Sequence, residues 1–140
     1  MSKEEIEAAI PHRGTMLLID DILQRSESEI VCRKTFRIDE FFFQGHYPDK
    51  PIVPGVILCE AAMQAGAVLL AKKFDAEAMA GVPVATRLNN VKFKRMIVPG
   101  NTVEFHVTLM EVVATAYFLT AKARCEGKLA MSCEFACTLA

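Results

Sequence analysis

The chain carries no excess of charge of either sign: 16 Lys and Arg stand against 17 Asp and Glu, a formal net charge of −1 over 140 residues. Without a broad basic field or an acidic tail, neither a nucleic-acid partner nor a disordered tail is expected. Five cysteines, an odd number with no C-x-x-C pair, argue against a disulfide framework and against the commonest zinc spacings. A reducing compartment, the cytoplasm, fits that usage. The opening MSKEEIEAAIPHR is acidic and lacks a charged-then-apolar leader, so no signal peptide is expected. Internal repeats and low-complexity segments are also missing.

What the chain has in quantity is apolar surface. Hydrophobic residues make up 52% of it, high for one small domain spanning residues 1–140, so part of that surface is expected between copies of the chain. The longest apolar segment follows a Pro-studded loop within residues 45–73, GHYPDKPIVPGVILCEAAMQAGAVLLAKK. Pro48, Pro51 and Pro54 fix φ, remove backbone donors and push the residues before them toward extended geometry, which confines His46. From Ile52 to Ala71 the only strongly hydrogen-bonding side chains are Glu60 and Gln64, four apart and therefore stacked on one helix face. A helix opening at Pro54-Gly55 and reaching Lys73 would run ~28 Å. That suffices to span a bilayer, but Glu60, Gln64, Pro54, Gly55 and Gly66 favour a buried helix in a soluble protein, and no membrane is expected. A carboxylic acid in such a helix is costly unless it has a function, because desolvation opposes its charged form.

Elsewhere the pattern is mostly that of strands. Ser2 and Glu5 have capping-box spacing, and Glu4, Glu5 and Glu7 suit the positive end of a short helix that Pro11 ends. Residues 16–23, MLLIDDIL, read as a strand. Ile30, Cys32, Phe36 and Ile38 give the period-2 signature of a second, with Lys34 the exception on its apolar face. The aromatic run Phe41–Phe43 fits neither period and reads as a turn beneath the loop. After a polar connection around Phe74 to Val82, an ambiguous strand covers 85–97. Clear alternations follow at 102–109, 117–125 and 129–139, the last two joined by the tight turn Glu126-Gly127-Lys128. The order predicts an α+β fold in which an antiparallel sheet wraps one long central helix.

These residues resemble the hotdog-fold β-hydroxyacyl-acyl carrier protein dehydratases of the FabZ type. The family pattern, approximately GHFPxxPxxPGVxxxEAxxQ, is met by Gly45, His46, Pro48, Pro51, Pro54, Gly55, Val56, Glu60, Ala61 and Gln64, with Tyr47 in place of Phe. PHR at 11–13, LLID at 17–20, FFQGH at 42–46, KFKR at 92–95 and VPG at 98–100 look like the same family. Gly14-Thr15-Met16, Lys94 and Met96 depart from it. The resemblance implies a hotdog fold and fatty acid synthesis on carrier-bound substrates without metal or nucleotide cofactor. It also implies an assembly of at least two copies, or a hexamer, in which the His and Glu of one site come from different subunits.

The residues themselves suit β-elimination from a 3-hydroxyacyl thioester, which needs a base for the C2 proton, an acid for the leaving hydroxyl and donors for the thioester oxygen. His46 can be the base. Glu60 can be the acid if its apolar helix keeps it protonated. Unpaired N–H groups of Gly55 and Val56 at the helix start can bind the thioester carbonyl, and Gln64 can orient Glu60. An acyl thioesterase using Glu60 to activate water, or a non-catalytic acyl-carrier-binding hotdog protein, are the other readings. In the related family that also isomerises the double bond, Asp typically stands at the acid position; Glu60 leans away from it.

Other residues read more plainly. His106 belongs to a strand's polar face and is expected to be solvated, and His12, beside Pro11, to cap or pack. Cys125, Cys133 and Cys137 share the apolar phase of their strands, and Cys59 points about 100° from Glu60 around the helix. Lys92, Lys94 and Arg95 suit either the acidic surface of a carrier protein or a solvated strand end. Phe41–Phe43 and Phe93 are candidates to line an acyl tunnel.

Overall fold

A computed structural model describes residues 2–76, 81 and 83–139. Six strands form one antiparallel sheet: β1 (Asp21–Arg25), β2 (Glu29–Thr35), β3 (Pro83–Phe93), β4 (Thr102–Val113), β5 (Ala116–Cys125) and β6 (Lys128–Leu139). They lie in the order β1-β2-β4-β5-β6-β3. A short helix, α1 (Ser2–Ala9), precedes them, and the long α2 (Gly55–Ala76) packs against the sheet. The Ser2 side chain and most of the connection after α2 lie outside the described residues.

The alternations at 102–109, 117–125 and 129–139 set the inner face of the sheet. Val103, Phe105 and Val107 of β4, Leu119, Ala121 and Ala123 of β5, and Met131, Cys133 and Phe135 of β6 are all buried. Against them lies α2, 22 residues and about 33 Å long, apolar on most sides. Its small residues let helix and sheet approach closely. A Cβ on Gly66 would stand 2.7 Å from Phe135 Cζ and 3.3 Å from Leu119 Cδ2.

Four local expectations are corrected. The strand expected at 16–23 begins only at Asp21. Gly14, at φ +60°, opens a 3-10 turn through Met16; Leu17 is extended, Leu18 N donates to a side chain of α2, and Asp20 N is the first to bond to β2, at Arg33 O. The second strand stops at Thr35 because Phe36 pairs outside the ladder, its N–H donating to Asn101 O (3.0 Å) and its carbonyl accepting from Gly100 N (2.7 Å). Ile38, assigned to the apolar phase, is therefore exposed. Lys34 does not break that phase. It is buried with Nζ 2.8 Å from Glu40 Oε1 and 5.2 Å from the Phe36 ring centroid. Finally, the ambiguous strand of 85–97 is Pro83–Phe93, an edge strand whose residues are exposed along most of both faces, Val84 and Leu88 included.

Candidate active site

His46 sits at the tip of a constrained excursion. Gly45 (φ +85°) and Tyr47 (φ +52°) both lie in the left-handed region, so the chain reverses on either side of it. For tyrosine that conformation costs on the order of 1 kcal/mol and persists only where surroundings enforce it. Lys50 N donates to Tyr47 O (2.9 Å), and Val53 N donates to Ile97 O (2.7 Å), pinning the end of the loop before the helix starts. Phe42 and Phe43, in a 3-10 turn just upstream, are buried and anchor its other end, while Phe41 is exposed. His46 Nδ1 lies 3.2 Å from Ile52 O. A carbonyl only accepts, so this bond places the neutral ring's proton on Nδ1 and leaves the Nε2 lone pair free to take another.

The start of α2 provides the donors expected there. Ile57 N to Pro54 O (2.9 Å) is the first bond of the helix. The N–H groups of Gly55 and Val56 precede it and meet no acceptor among the described residues. They point outward at the positive end of the helix. The absent side chain of Gly55 accommodates a neighbour within the chain itself: a Cβ there would sit 2.5 Å from Cζ of Phe93.

Glu60 is not the deeply buried acid that the apolar helix suggested. Its side chain keeps 31% of its surface, opening on one side of α2. What holds it is Gln64, one turn on and itself 1% exposed. Gln64 Oε1 accepts from Leu18 N (2.8 Å), while Nε2 donates both to Met16 O (2.8 Å) and to Glu60 Oε2 (3.0 Å). The amide cannot be reversed, because a flipped group would set its NH2 against the Leu18 N–H and its oxygen against the Met16 carbonyl. Its second proton is thus committed to Glu60. The same network takes Leu18 out of any ladder, since its N–H goes to a helix side chain, and backbone bonding to β2 starts only at Asp20, whose N–H donates to Arg33 O (2.9 Å).

A residue assigned to capping or packing joins this group. His12 Nε2 lies 3.5 Å from Glu60 Oε2, with 29% of the His12 side chain exposed. Nothing local announces this contact, since 48 residues separate the two; only the recurrence of PHR and EAxxQ in one chain hints at it. By contrast, no hydrogen bond or ion pair among the described residues joins His46 to Glu60.

The remaining candidates stay outside the group. His106 Nε2 is paired with Glu29 Oε1 across β2 and β4 at 2.7 Å. Lys92, Lys94 and Arg95 are exposed where β3 ends. All five cysteines are free and buried. Burial pushes the Cys32 thiol up to about 12 against the pull of Arg25, and that of Cys137 up to about 11. The hydrogen bond to Cys59, reinforced by burial, also raises Cys133. The same hydrogen bond lowers Cys59, against the effect of its burial; all five thiols pack in the core.

The chain has relatives among known proteins. The FabA-like domain family matches residues 10–134. The 3-hydroxyacyl-[acyl-carrier-protein] dehydratase FabZ of Clostridium perfringens (strain SM101 / Type A) is 38% identical over 134 residues, 96% of this chain and 95% of that protein. The protein of the same name from Streptococcus pyogenes serotype M3 (strain ATCC BAA-595 / MGAS315) is 39% identical over 139 residues, 98% of this chain and 99% of that protein. Among solved structures, the dehydratase heterocomplex ApeI:P of Xenorhabdus doucetiae superposes with a TM-score of 0.82 at 15% identity, covering 96% of this chain and 90% of that one. The phenylacetic acid degradation protein PaaI of Thermus thermophilus, in a mutant form, gives a TM-score of 0.67 at 18% identity, covering 89% and 95%. At those identities the likeness establishes the fold alone. With the FabA-like match over nearly all of its length and FabZ relatives above 30% identity, this hotdog-fold chain belongs to the FabA-like family and, within it, to the FabZ-type dehydratases.

Proposed function

We propose that the chain removes water from (3R)-hydroxyacyl groups carried on acyl carrier protein, giving the trans-2-enoyl product in fatty acid biosynthesis, as a single cytoplasmic hotdog domain. The reading is carried by the 38–39% identity to 3-hydroxyacyl-[acyl-carrier-protein] dehydratases over 96–98% of the chain. The site supplies the chemistry. His46 Nε2 takes the C2 proton while charge gathers on the thioester oxygen, which the N–H groups of Gly55 and Val56 receive. The C2–C3 double bond forms as the C3–O bond breaks, and Glu60 gives its proton to the departing hydroxyl, which leaves as water. His46 then holds one proton more and Glu60 one fewer, so a single net proton transfer between them restores the resting site.

Two copies complete this arrangement, His46 from one facing Glu60 from the other. Two features support it: no hydrogen bond or ion pair among the described residues joins His46 to Glu60, and β3 leaves an 11-residue edge with exposed Val84 and Leu88 available for pairing. Lys92, Lys94 and Arg95 near the end of that strand suit an acidic carrier. The test is turnover of 3-hydroxyacyl carrier-protein thioesters by His46→Ala, by Glu60→Gln and by a refolded mixture of the two. Both variants are expected to be inactive and correctly assembled, and the mixture to recover part of the activity. Near-normal turnover by either variant overturns that residue's role. No recovery in the mixture overturns the shared site.

A further inference from the structure

A carboxylic acid that delivers a proton must carry it on the oxygen that faces the substrate, and the surroundings of Glu60 bear on which oxygen that is. Gln64 Nε2, unable to flip, directs a hydrogen at Oε2 from 3.0 Å. His12 Nε2 stands 3.5 Å from the same oxygen, at ion-pair distance and longer than a formed hydrogen bond, so that a small approach would bring it into one. The other ring nitrogen of His12, Nδ1, is buried with no hydrogen-bond partner. A buried N–H without an acceptor is costlier than a buried unpaired lone pair, so the ring's single proton belongs on Nε2, which faces Glu60 Oε2.

The ring's position is itself set by the chain around it. Ile6 and Ile10 are buried and seat α1 against the core. Arg13, next to His12, donates to Ile10 O (2.7 Å), His12 O (2.7 Å) and Glu7 O (2.6 Å), fixing the backbone at the end of α1. Gln64 ties down Met16 and Leu18 on the other side.

We propose that His12 is a positioning residue: with Gln64 it holds Oε2 of Glu60 as an acceptor, so that the acid's only proton sits on Oε1 and points away from both donors toward the substrate. Once Glu60 has given that proton up, the same two donors face the new carboxylate and stabilise it. This rests on the dehydratase reading with Glu60 as acid.

The test compares His12→Leu, which keeps the volume without a donor, with His12→Gln, whose amide N–H takes the place of Nε2–H. Both are assayed for kcat and KM on a 3-hydroxyacyl thioester, with thermal melts and Glu60→Gln alongside. His12→Leu is expected to lose roughly tenfold or more in kcat, the scale of a lost hydrogen bond to a charged group, with KM little changed, and His12→Gln to recover most of it. Near-normal kcat in His12→Leu, or a His12→Gln as impaired as His12→Leu, overturns the proposal. If His12→Leu fails to fold, His12→Gln decides alone: high turnover supports the donor role and low turnover overturns it. An active Glu60→Gln defeats the underlying reading instead, whatever the His12 variants do.

Discussion

Glu60 stands on a 22-residue helix packed against the sheet, and three polar groups from the far N-terminal segment converge on it and its Gln64 neighbour: His12, the Met16 carbonyl and the Leu18 N–H. His46 stands on a loop, held by one 3.2 Å bond to Ile52 O, with Tyr47 62% exposed beside it and packed edge-on at 4.7 Å. Glu60 is held in place by contacts within the chain; His46 is confined mainly by backbone stiffness, three prolines and two left-handed residues. Rigid elements hold chemistry more tightly than loops do. On the proposed function both halves meet the partner subunit, and the loop, with fewer contacts of its own, depends more on the second copy for its enclosure.

The largest effect expected is on turnover, and it should be alike for both halves. His46→Ala and Glu60→Gln are each expected to lower kcat by roughly 10²–10⁴-fold, the range for a lost general acid or base. The halves should part company in stability. Gln64→Ala strands the Leu18 N–H and the Met16 carbonyl and is expected to lower unfolding free energy by roughly 2–5 kcal/mol, whereas His46→Ala should cost under about 1.5 kcal/mol. Chemical denaturation measures both, and a His46→Ala variant the less stable of the two would reverse the contrast.

Two glycines of α2 sharpen it further. Gly66→Ala drives a methyl into the buried ring of Phe135 and is expected to destabilise by about 1–3 kcal/mol. Gly55→Ala displaces only the half-exposed ring of Phe93 and should cost under about 1 kcal/mol, while turnover falls because the methyl crowds the helix-start donors. Melting curves beside kcat separate the two. The smallest effect is expected from Tyr47→Phe: the hydroxyl has no hydrogen-bond partner among the described residues, so stability should hold within about 0.5 kcal/mol. A larger loss measured in the same melts would show that the loop is held by more than backbone geometry.

Much of the molecule was legible before folding. The alternations of β4, β5 and β6 and the apolar length of α2 follow from covalent geometry, which places every second strand residue on one face, so they could be read from spacing alone. Errors fell where a distant group competed for the backbone. Residues 16–23 have the composition of a strand, but a 3-10 turn beginning at Gly14 and the Gln64 amide take their first half out of the ladder. Lys34 looked like a break in phase because its partner Glu40 lies beyond the strand. β3 was ambiguous because an edge strand exposed on both faces has no reason to alternate.

Of the site, the sequence by itself determined the residue types and their local order: a histidine on a proline-stiffened loop, free N–H groups at a helix start, and a glutamate with a glutamine one turn on. Each depends only on neighbours a few residues away. The tertiary structure alone decided how exposed Glu60 is, which way the Gln64 amide faces, and that His12 reaches Glu60 Oε2. Those outcomes depend on segments 46 to 48 residues apart being folded back onto one helix, and no periodicity in a sequence records where such segments meet.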